Sequence, residues 1–209
     1  MLTRRILNEL GLLLSLEKIH TLKKFKNFLY ASNNNLNLTR VPPSDFTVKH
    51  VIDSLLLAPF LNLLSPKTVL DFGTGGGFPG VPLAIFLPRI KFFLFDKSAK
   101  KTKYLRKARD NLQLDNVSVL EEVQRCDCVV SRAVAGTNEL IQLTKDCFSL
   151  CGLALKSEKV LQELRGISGY FFNVYAHELR DFPLRTRVIV YSPQRILLEV
   201  PNFKIIYSG

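Results

Sequence analysis

Val69-Leu70-Asp71-Phe72-Gly73-Thr74-Gly75-Gly76-Gly77-Phe78-Pro79-Gly80 reads as an apolar strand that ends in an acid and breaks into a glycine-rich turn. Glycine lacks a Cβ and tolerates positive φ, so such a turn lets backbone come close to a ligand. Dinucleotide-binding G-x-G-x-x-G turns usually carry an apolar residue where Asp71 stands, and their phosphate sits on the next helix. The acid two residues before the first glycine sets this turn apart. Asp71, Gly73, Thr74, Gly75 and Gly77 are therefore candidate ligand contacts.

The form D-x-G-x-G-x-G resembles the first motif of class I S-adenosylmethionine methyltransferases, and the flanking pattern agrees with an α/β chain. After the turn comes a brief helix with Pro82 in its first turn. Ile90–Asp96 reads as a second strand, and Ser98 as the cap of a helix reaching Leu112. Val117–Leu120, Cys128–Ser131, Leu153–Lys156, Val174–Glu178 and Val188–Tyr191 read as further strands, with helices near Asn138–Phe148 and over 158–165. Alternating strands and helices imply a Rossmann-like, doubly wound, mostly parallel sheet, here of seven strands. Ligands bind beyond the carboxyl ends of such strands, where strand order reverses. Residues 1–60 form an N-terminal helical extension, with loops expected at Asn33–Asn35 and Pro42–Pro43. A helix from Ser44 or Asp45 runs to Leu57, where Pro59 disturbs it. The strand-bearing domain covers 61–191. Residues 192–209 form a tail, plausible as a hairpin, and the whole is one folding unit.

The 209 residues are 47% hydrophobic and carry a formal charge of +11, with a pI of about 9.6. The length suits one domain with a real core. The positive excess points to a polyanionic partner, nucleic acid ahead of an anionic membrane surface. Glu9 and Asn8 interrupt the apolar N-terminus and no small-residue cleavage site follows, which argues against a signal peptide. No stretch reads as apolar enough to span a bilayer. A cytoplasmic monomer with no membrane partner is expected. Cys126, Cys128, Cys147 and Cys151 miss the usual zinc spacings, and Cys147 falls on the expected helix. His20, His50 and His177 form no ligand cluster, so no metal is expected.

Asp96 closes the second strand some twenty residues past the glycines. A carboxylate there can accept both ribose hydroxyls of a nucleoside, or cap the next helix. That helix carries Lys97, Lys100, Lys101, Lys103, Arg106, Lys107 and Arg109 against Asp110 alone. Cations at a helix N-terminus oppose its dipole. Lys97, Lys100 and Lys101 are thus candidate phosphate contacts, with Arg40 among the basic residues of the N-terminal region.

The chain resembles the bacterial glucose-inhibited division protein B (RsmG) family of 16S rRNA guanine-N7 methyltransferases. The matches are Asn37-Leu38-Thr39, His50-x-x-Asp53-Ser54-Leu55, Asp71 through Ile85, Leu94-Phe95-Asp96 with Lys100-Lys101 and Tyr104-Leu105, Ser131-Arg132-Ala133-Val134-Ala135, and Ala154-Leu155-Lys156. They cover about residues 30 to 190. The resemblance implies S-adenosylmethionine contacts at Gly73, Phe78, Asp96 and Arg132, and at backbone near Glu121 and Glu122. It also implies methyl transfer to one guanine of 16S rRNA or the small ribosomal subunit. Arg132 could instead make a strand-end ion pair. His50 and Asp53 could pack or cap a helix rather than meet RNA, and Lys156 could meet phosphate or cap. A non-catalytic rRNA-binding or ribosome-assembly protein of the same fold is the alternative. Ser32-Asn33 stands where the family commonly has Trp, Lys97 replaces a serine, Lys101 an arginine and Ser157 a glycine.

Guanine N7 has an in-plane lone pair and no proton, so no catalytic acid or base is expected. The work is alignment of N7 behind the methyl and exclusion of water. The base must expose its Hoogsteen edge, so it is unstacked or irregularly folded. The link between the third and fourth strands, Glu121–Asp127, is too short for a crossover helix. In the strand order 3-2-1-4 that the methyltransferase resemblance implies, it must cross about 14 Å sideways while returning about 13 Å along the strands, and seven extended residues reach about 24 Å. One wall of the adenine site near Glu121–Gln124 is therefore thin. Calorimetry should find modest affinity for S-adenosylmethionine alone, rising when RNA covers the site; tight RNA-independent binding would refute this.

Overall fold

The computed structural model describes residues 2–209. One sheet of eight strands runs through it in the order β3-β2-β1-β4-β5-β7-β6-β8. The strands are β1 Thr68–Phe72, β2 Lys91–Phe95, β3 Val117–Leu120, β4 Cys126–Arg132, β5 Phe148–Lys156, β6 Phe171–His177, β7 Arg187–Ser192 and β8 Phe203–Ser208. The pairs from β3 to β5 are parallel and those from β5 to β8 antiparallel. Strand order reverses between β1 and β4. The expectation of seven strands misses β8. The tail makes no hairpin; it returns to pair with β6 at the sheet edge.

Side chains alternate along the strands, so the sheet has two apolar faces. One face shares a single large core with the N-terminal helices α1 Leu2–Glu9 and α2 Leu16–Leu36. Ile6, Phe25, Leu29, Phe60, Val69, Phe92, Leu94, Val130 and Leu153 belong to it together. Helices α3 Asp53–Leu55, α4 Ala58–Leu64, α5 Gly80–Phe86 and α6 Ala99–Leu112 complete that side. The other face has only α7 Thr137–Thr144 and α8 Val160–Glu163, through Leu140, Ile141 and Val160. Phe93 and Phe95 of β2 stay half-buried there. β4 begins at Cys126, so the link from β3 shrinks to 121–125, exposed and without a helix.

Three local expectations fail for identifiable reasons. Asn33–Asn35 is helical, because α2 runs to Leu36 and is closed by Asn37 in the left-handed region. The Asn33 side chain instead grips the next loop: its Nδ2 donates to Thr39 O at 2.9 Å and its Oδ1 accepts from Thr39 N at 2.8 Å. The helix before Pro59 is a π-helical turn, Thr47–Ile52, running into α3. The chain bends at Leu56–Leu57 and restarts as α4, where Pro59 sits in the opening turn that tolerates it. Helix α7 stops at Thr144, leaving Cys147 in a bend and Phe148 opening β5. All four cysteines are free and buried.

One 18-residue stretch, Thr47–Leu64, reaches a mean hydropathy of 1.3, which corrects the expectation that none is apolar enough to cross a membrane. Two-thirds of it is buried inside this domain.

Gly80 shows how tightly the turn is seated. A Cβ there would lie 2.6 Å from Asp71 Oδ2 and meet Leu94. Gly80→Ala should cost about 1–3 kcal/mol by overpacking, a melting temperature lowered by roughly 2–10 °C in a chain of this size. An unchanged melting curve would contradict this seating.

Candidate active site

The glycine turn is built on a buried carboxylate. Asp71, fully buried, accepts through Oδ2 from Thr74 Oγ1 at 2.5 Å and from Gly80 N at 2.7 Å. Thr74 and Asp71 therefore hold the turn from beneath. Burial pushes the Asp71 carboxyl up to about 7, against the lowering effect of those two hydrogen bonds. Its Oδ1 is buried without a partner among the described residues. Gly73 and Thr74 donate their N–H groups to Phe95 O at 2.8 and 3.0 Å, pinning the turn to β2. Gly73, Gly75 and Gly77 have φ of +71°, +58° and +99°, so each needs the freedom of glycine.

Asp96 follows β2 and faces that turn. Its Oδ2 accepts from Gly75 N at 3.0 Å and its Oδ1 from Ser98 N at 2.9 Å. It therefore joins the turn to the start of α6, and each oxygen keeps a lone pair. Ser98 sits at the cap position but its hydroxyl makes no capping bond. Lys101 Nζ lies 3.6 Å from Asp96 Oδ2, so this lysine stands beside the cradle. Glu121 and Glu122 follow Leu120, which pairs with Phe95, so they stand beside Asp96 at the same edge. Glu121 is turned outward onto Arg106 at 2.7 Å.

On the β4 side the site is a stack of three planar groups. His50 lies flat on Phe78, with centroids 4.1 Å apart and planes at 10°, and the Arg132 guanidinium sits 4.9 Å from the Phe78 centroid. Phe78 is buried, and its ring supports this stack. Arg132 reaches Asp53 Oδ2 at 3.2 Å, Lys49 O at 3.1 Å and His50 Nδ1 at 2.9 Å. Asp53 Oδ1 accepts from Thr186 Oγ1 at 2.6 Å. An arginine can only donate, so His50 Nδ1 is the acceptor and Nε2 carries the proton. Nε2–H then donates to Thr39 Oγ1 at 2.7 Å. Burial first, and the Arg132 charge second, depress His50 to about 3. The ring is neutral at physiological pH and neither nitrogen is free to take a proton. The π-helical turn, a rare element common at functional sites, places Lys49 O and His50 around Arg132. Sequence reasoning brought His50, Asp53 and Arg132 forward but missed Thr39 and Thr186 as their partners. Only the place of Thr39 in the Asn37-Leu38-Thr39 motif hinted at the first.

Lys156 does not reach outward. Its Nζ donates to Ala135 O at 2.6 Å and pairs with Glu163 at 3.1 Å. Glu163 also accepts from Thr137 N and Oγ1. Lys156 thus caps a carbonyl and is removed from the candidate RNA contacts. Lys97, Lys100 and Arg40 are exposed. Beyond the ends of β4, β5 and β7 lies a groove of about 630 Å³, lined by Arg40, Lys49, His50, Arg132 and Arg185 among others. No group of three His, Cys, Asp or Glu side chains among the described residues could hold a metal ion.

The two shifted groups give opposite pH effects. Below the ordinary histidine value of 6.5, the unfolded chain takes a proton that folded His50 refuses. That stabilising contribution is complete above 6.5 and is lost as pH falls toward 3. Asp71 acts the other way: between 3.8 and about 7 the folded chain keeps a proton that the unfolded chain releases, so stability falls as pH rises through that window. Comparison with His50→Gln isolates the first effect. The stability advantage of the native chain over this variant should shrink by about 2 kcal/mol from pH 7.5 to pH 5. A constant advantage across that range would rule out a buried neutral His50.

A protein family described as GidB, rRNA small subunit methyltransferase G, matches residues 18–174. The ribosomal RNA small subunit methyltransferase G of Clostridium kluyveri is 33% identical over 173 residues, covering 76% of this chain and 73% of that protein. The protein of the same name from Klebsiella pneumoniae subsp. pneumoniae is 33% identical over 169 residues, covering 74% and 80%. Among solved structures, an O-methyltransferase from Bacillus cereus in complex with SAH superposes with a TM-score of 0.55 at 13% identity, covering 82% of this chain and 90% of that one. Cofactor-bound Rv0187 from MTB gives 0.56 at 16% identity, covering 80% and 88%. These two carry the fold alone. Together with the cradle at the β1–β4 switch point, the family match and its relatives establish that the chain belongs to the GidB family of rRNA small subunit methyltransferases, S-adenosylmethionine-dependent enzymes of class I fold.

Proposed function

We propose that this protein transfers the methyl group of S-adenosylmethionine to N7 of a guanine in 16S rRNA, on naked RNA or on the small subunit. The observation that carries this reading is the placing of a basic groove directly beside the glycine cradle, with His50 neutral and both its nitrogens engaged. A lone-pair nucleophile needs no base, and His50 at the groove is not free to act as one.

The cradle fits S-adenosylmethionine. A Cβ on Gly75 would meet nothing nearer than Gly73 O at 4.0 Å, so the turn is open on that side. Asp96 has lone pairs to spare for ribose hydroxyls, and Asp71 Oδ1 is a buried acceptor without a partner. Bound there, S-adenosylmethionine supplies an electrophilic methyl group. The chain's own task is to hold the base in line and keep water out. Arg132 and His50, locked by stacking and hydrogen bonds, form a rigid wall for that purpose.

Phosphate contacts fit a second groove, of about 380 Å³, between α2 and α6. Lys100, Lys103 and Lys107 line it with Ser32 and Asn35. None of these lysines makes an ion pair among the described residues, whereas Arg106 and Arg109 of the same helix are paired. Unpaired cations beside hydrogen-bonding side chains suit an RNA backbone. Such a substrate places the work in the cytoplasm. We expect a monomer, with no membrane involved.

N7-methylguanine is located in small-subunit rRNA by strand scission after borohydride reduction. Methylation in the presence of the active protein and its absence without it is the expected result; an unmodified guanine complement would overturn the reading. Asp96→Ala should weaken S-adenosylmethionine binding by roughly 1.5–3 kcal/mol, since hydrogen bonds to a charged group are lost. Lys100→Glu with Lys103→Glu should lower RNA affinity and flatten its salt dependence while cofactor affinity stays within a few-fold. RNA binding that survives both changes would move the phosphate contacts elsewhere.

A further inference from the structure

The groove beyond β4, β5 and β7 contains two carboxylates of different standing. Asp53 is buried, with one oxygen on Arg132 and the other on Thr186. Glu158, two residues past the end of β5, is half exposed. Its Oε2 lies 3.7 Å from Arg185 Nη1 and 4.0 Å from Arg187 Nη2, beyond hydrogen-bond length. Its lone pairs are therefore open to a ligand, while the two guanidinium groups favour its position at the groove. The other polar groups on the groove wall, including Arg40, Lys49 and Arg132, are mostly donors.

We propose that Glu158 recognises the target guanine by accepting from its N1–H and its exocyclic N2 amino group. This rests on the reading of the reaction above. Methylation at N7 requires the Hoogsteen edge to face the donor methyl at the cradle. The Watson–Crick edge then faces away from the cradle, across the groove. On guanine that edge presents two adjacent N–H donors, a spacing that a carboxylate accepts with both oxygens. On adenine the same position presents the N1 lone pair, which a carboxylate repels. A cationic wall can attract O6 or phosphate, but it cannot reject adenine in this way. Site-built hydrogen bonds discriminate strongly because the wrong base leaves a charged group unpaired.

The test compares guanine with inosine, which keeps N1–H, O6 and N7 but lacks the N2 amino group. Small-subunit rRNA is prepared with either base at the methylated position, and kcat/KM is measured for the native protein, Glu158→Ala and Glu158→Gln. The native protein should lose roughly tenfold on inosine. Glu158→Ala should lose about tenfold or more on guanine and show little further loss on inosine, with Glu158→Gln between the two. Melting temperature and S-adenosylmethionine affinity should be unchanged in both variants, separating recognition from folding. Glu158→Ala with native kcat/KM on guanine, or with the full native penalty for inosine, would overturn the role of Glu158. A native protein that methylates no guanine N7 would instead overturn the reading on which it rests.

Discussion

Arg132 is the tie that holds the site together. Its guanidinium joins the end of β4 to the backbone of Lys49, the imidazole of His50 and the carboxylate of Asp53, and it stacks on Phe78 of the glycine turn. Asp53 extends the tie to Thr186 at the start of β7, and His50 extends it to Thr39 after α2. Five segments distant in sequence thus meet around one cation. Removing one partner of this partly buried pair leaves the other charge without its partner, which is destabilising. The N-terminal helices themselves are held to the sheet by their apolar core, through Ile6, Leu7, Phe25 and Leu29. Arg132 is therefore a fastening between these segments, and it also lines the groove beside the cradle.

The fold was legible where pattern and physics coincide. Apolar runs ended by Asp71 and Asp96 lie at the carboxyl edge of parallel strands, as their spacing implied. The N-terminal region was less legible. Three consecutive asparagines read as a loop, yet α2 continues through them, because Asn33 uses its side chain to hold Thr39 and Asn37 closes the helix beyond. β8 was missed because Phe203–Ser208 forms a half-exposed edge strand whose partner, β6, lies thirty residues back. In the site, residue types pointed to the right neighbourhood but not to the pairings. Nothing in the sequence tells that Lys101 turns to Asp96 while Lys100 and Lys103 turn to α2, since all three sit on one basic helix.

Those pairings sort the positive charge into two kinds. Arg106, Arg109, Lys101, Arg132 and Lys156 are neutralised within the chain. Arg40, Lys97, Lys100, Lys103 and Lys107 have no acidic partner among the described residues, and three of them share one groove. Part of the net charge of +11 thus lines a groove with room for a polyanion. Surface pairs of the first kind contribute little to stability. The unpaired lysines cost the folded chain some self-repulsion, which a bound phosphate backbone relieves.

The two faces of the sheet divide the remaining work. The large core under α1 to α6 supports the cradle, the stack of His50 on Phe78 and the clamp of Asp71. The opposite face has two short helices, and the five-residue link 121–125 replaces any helix between β3 and β4. Phe93, Phe95 and Leu120 are half-buried as a result. That partial cover lies under the β2 and β3 ends, the side of the cradle where Asp96 and Glu121 stand. The β4 side of the cradle has the opposite character, with charges interlocked through Arg132. Rigid geometry is thus concentrated beside the end of β4, and the looser packing falls beside the ends of β2 and β3.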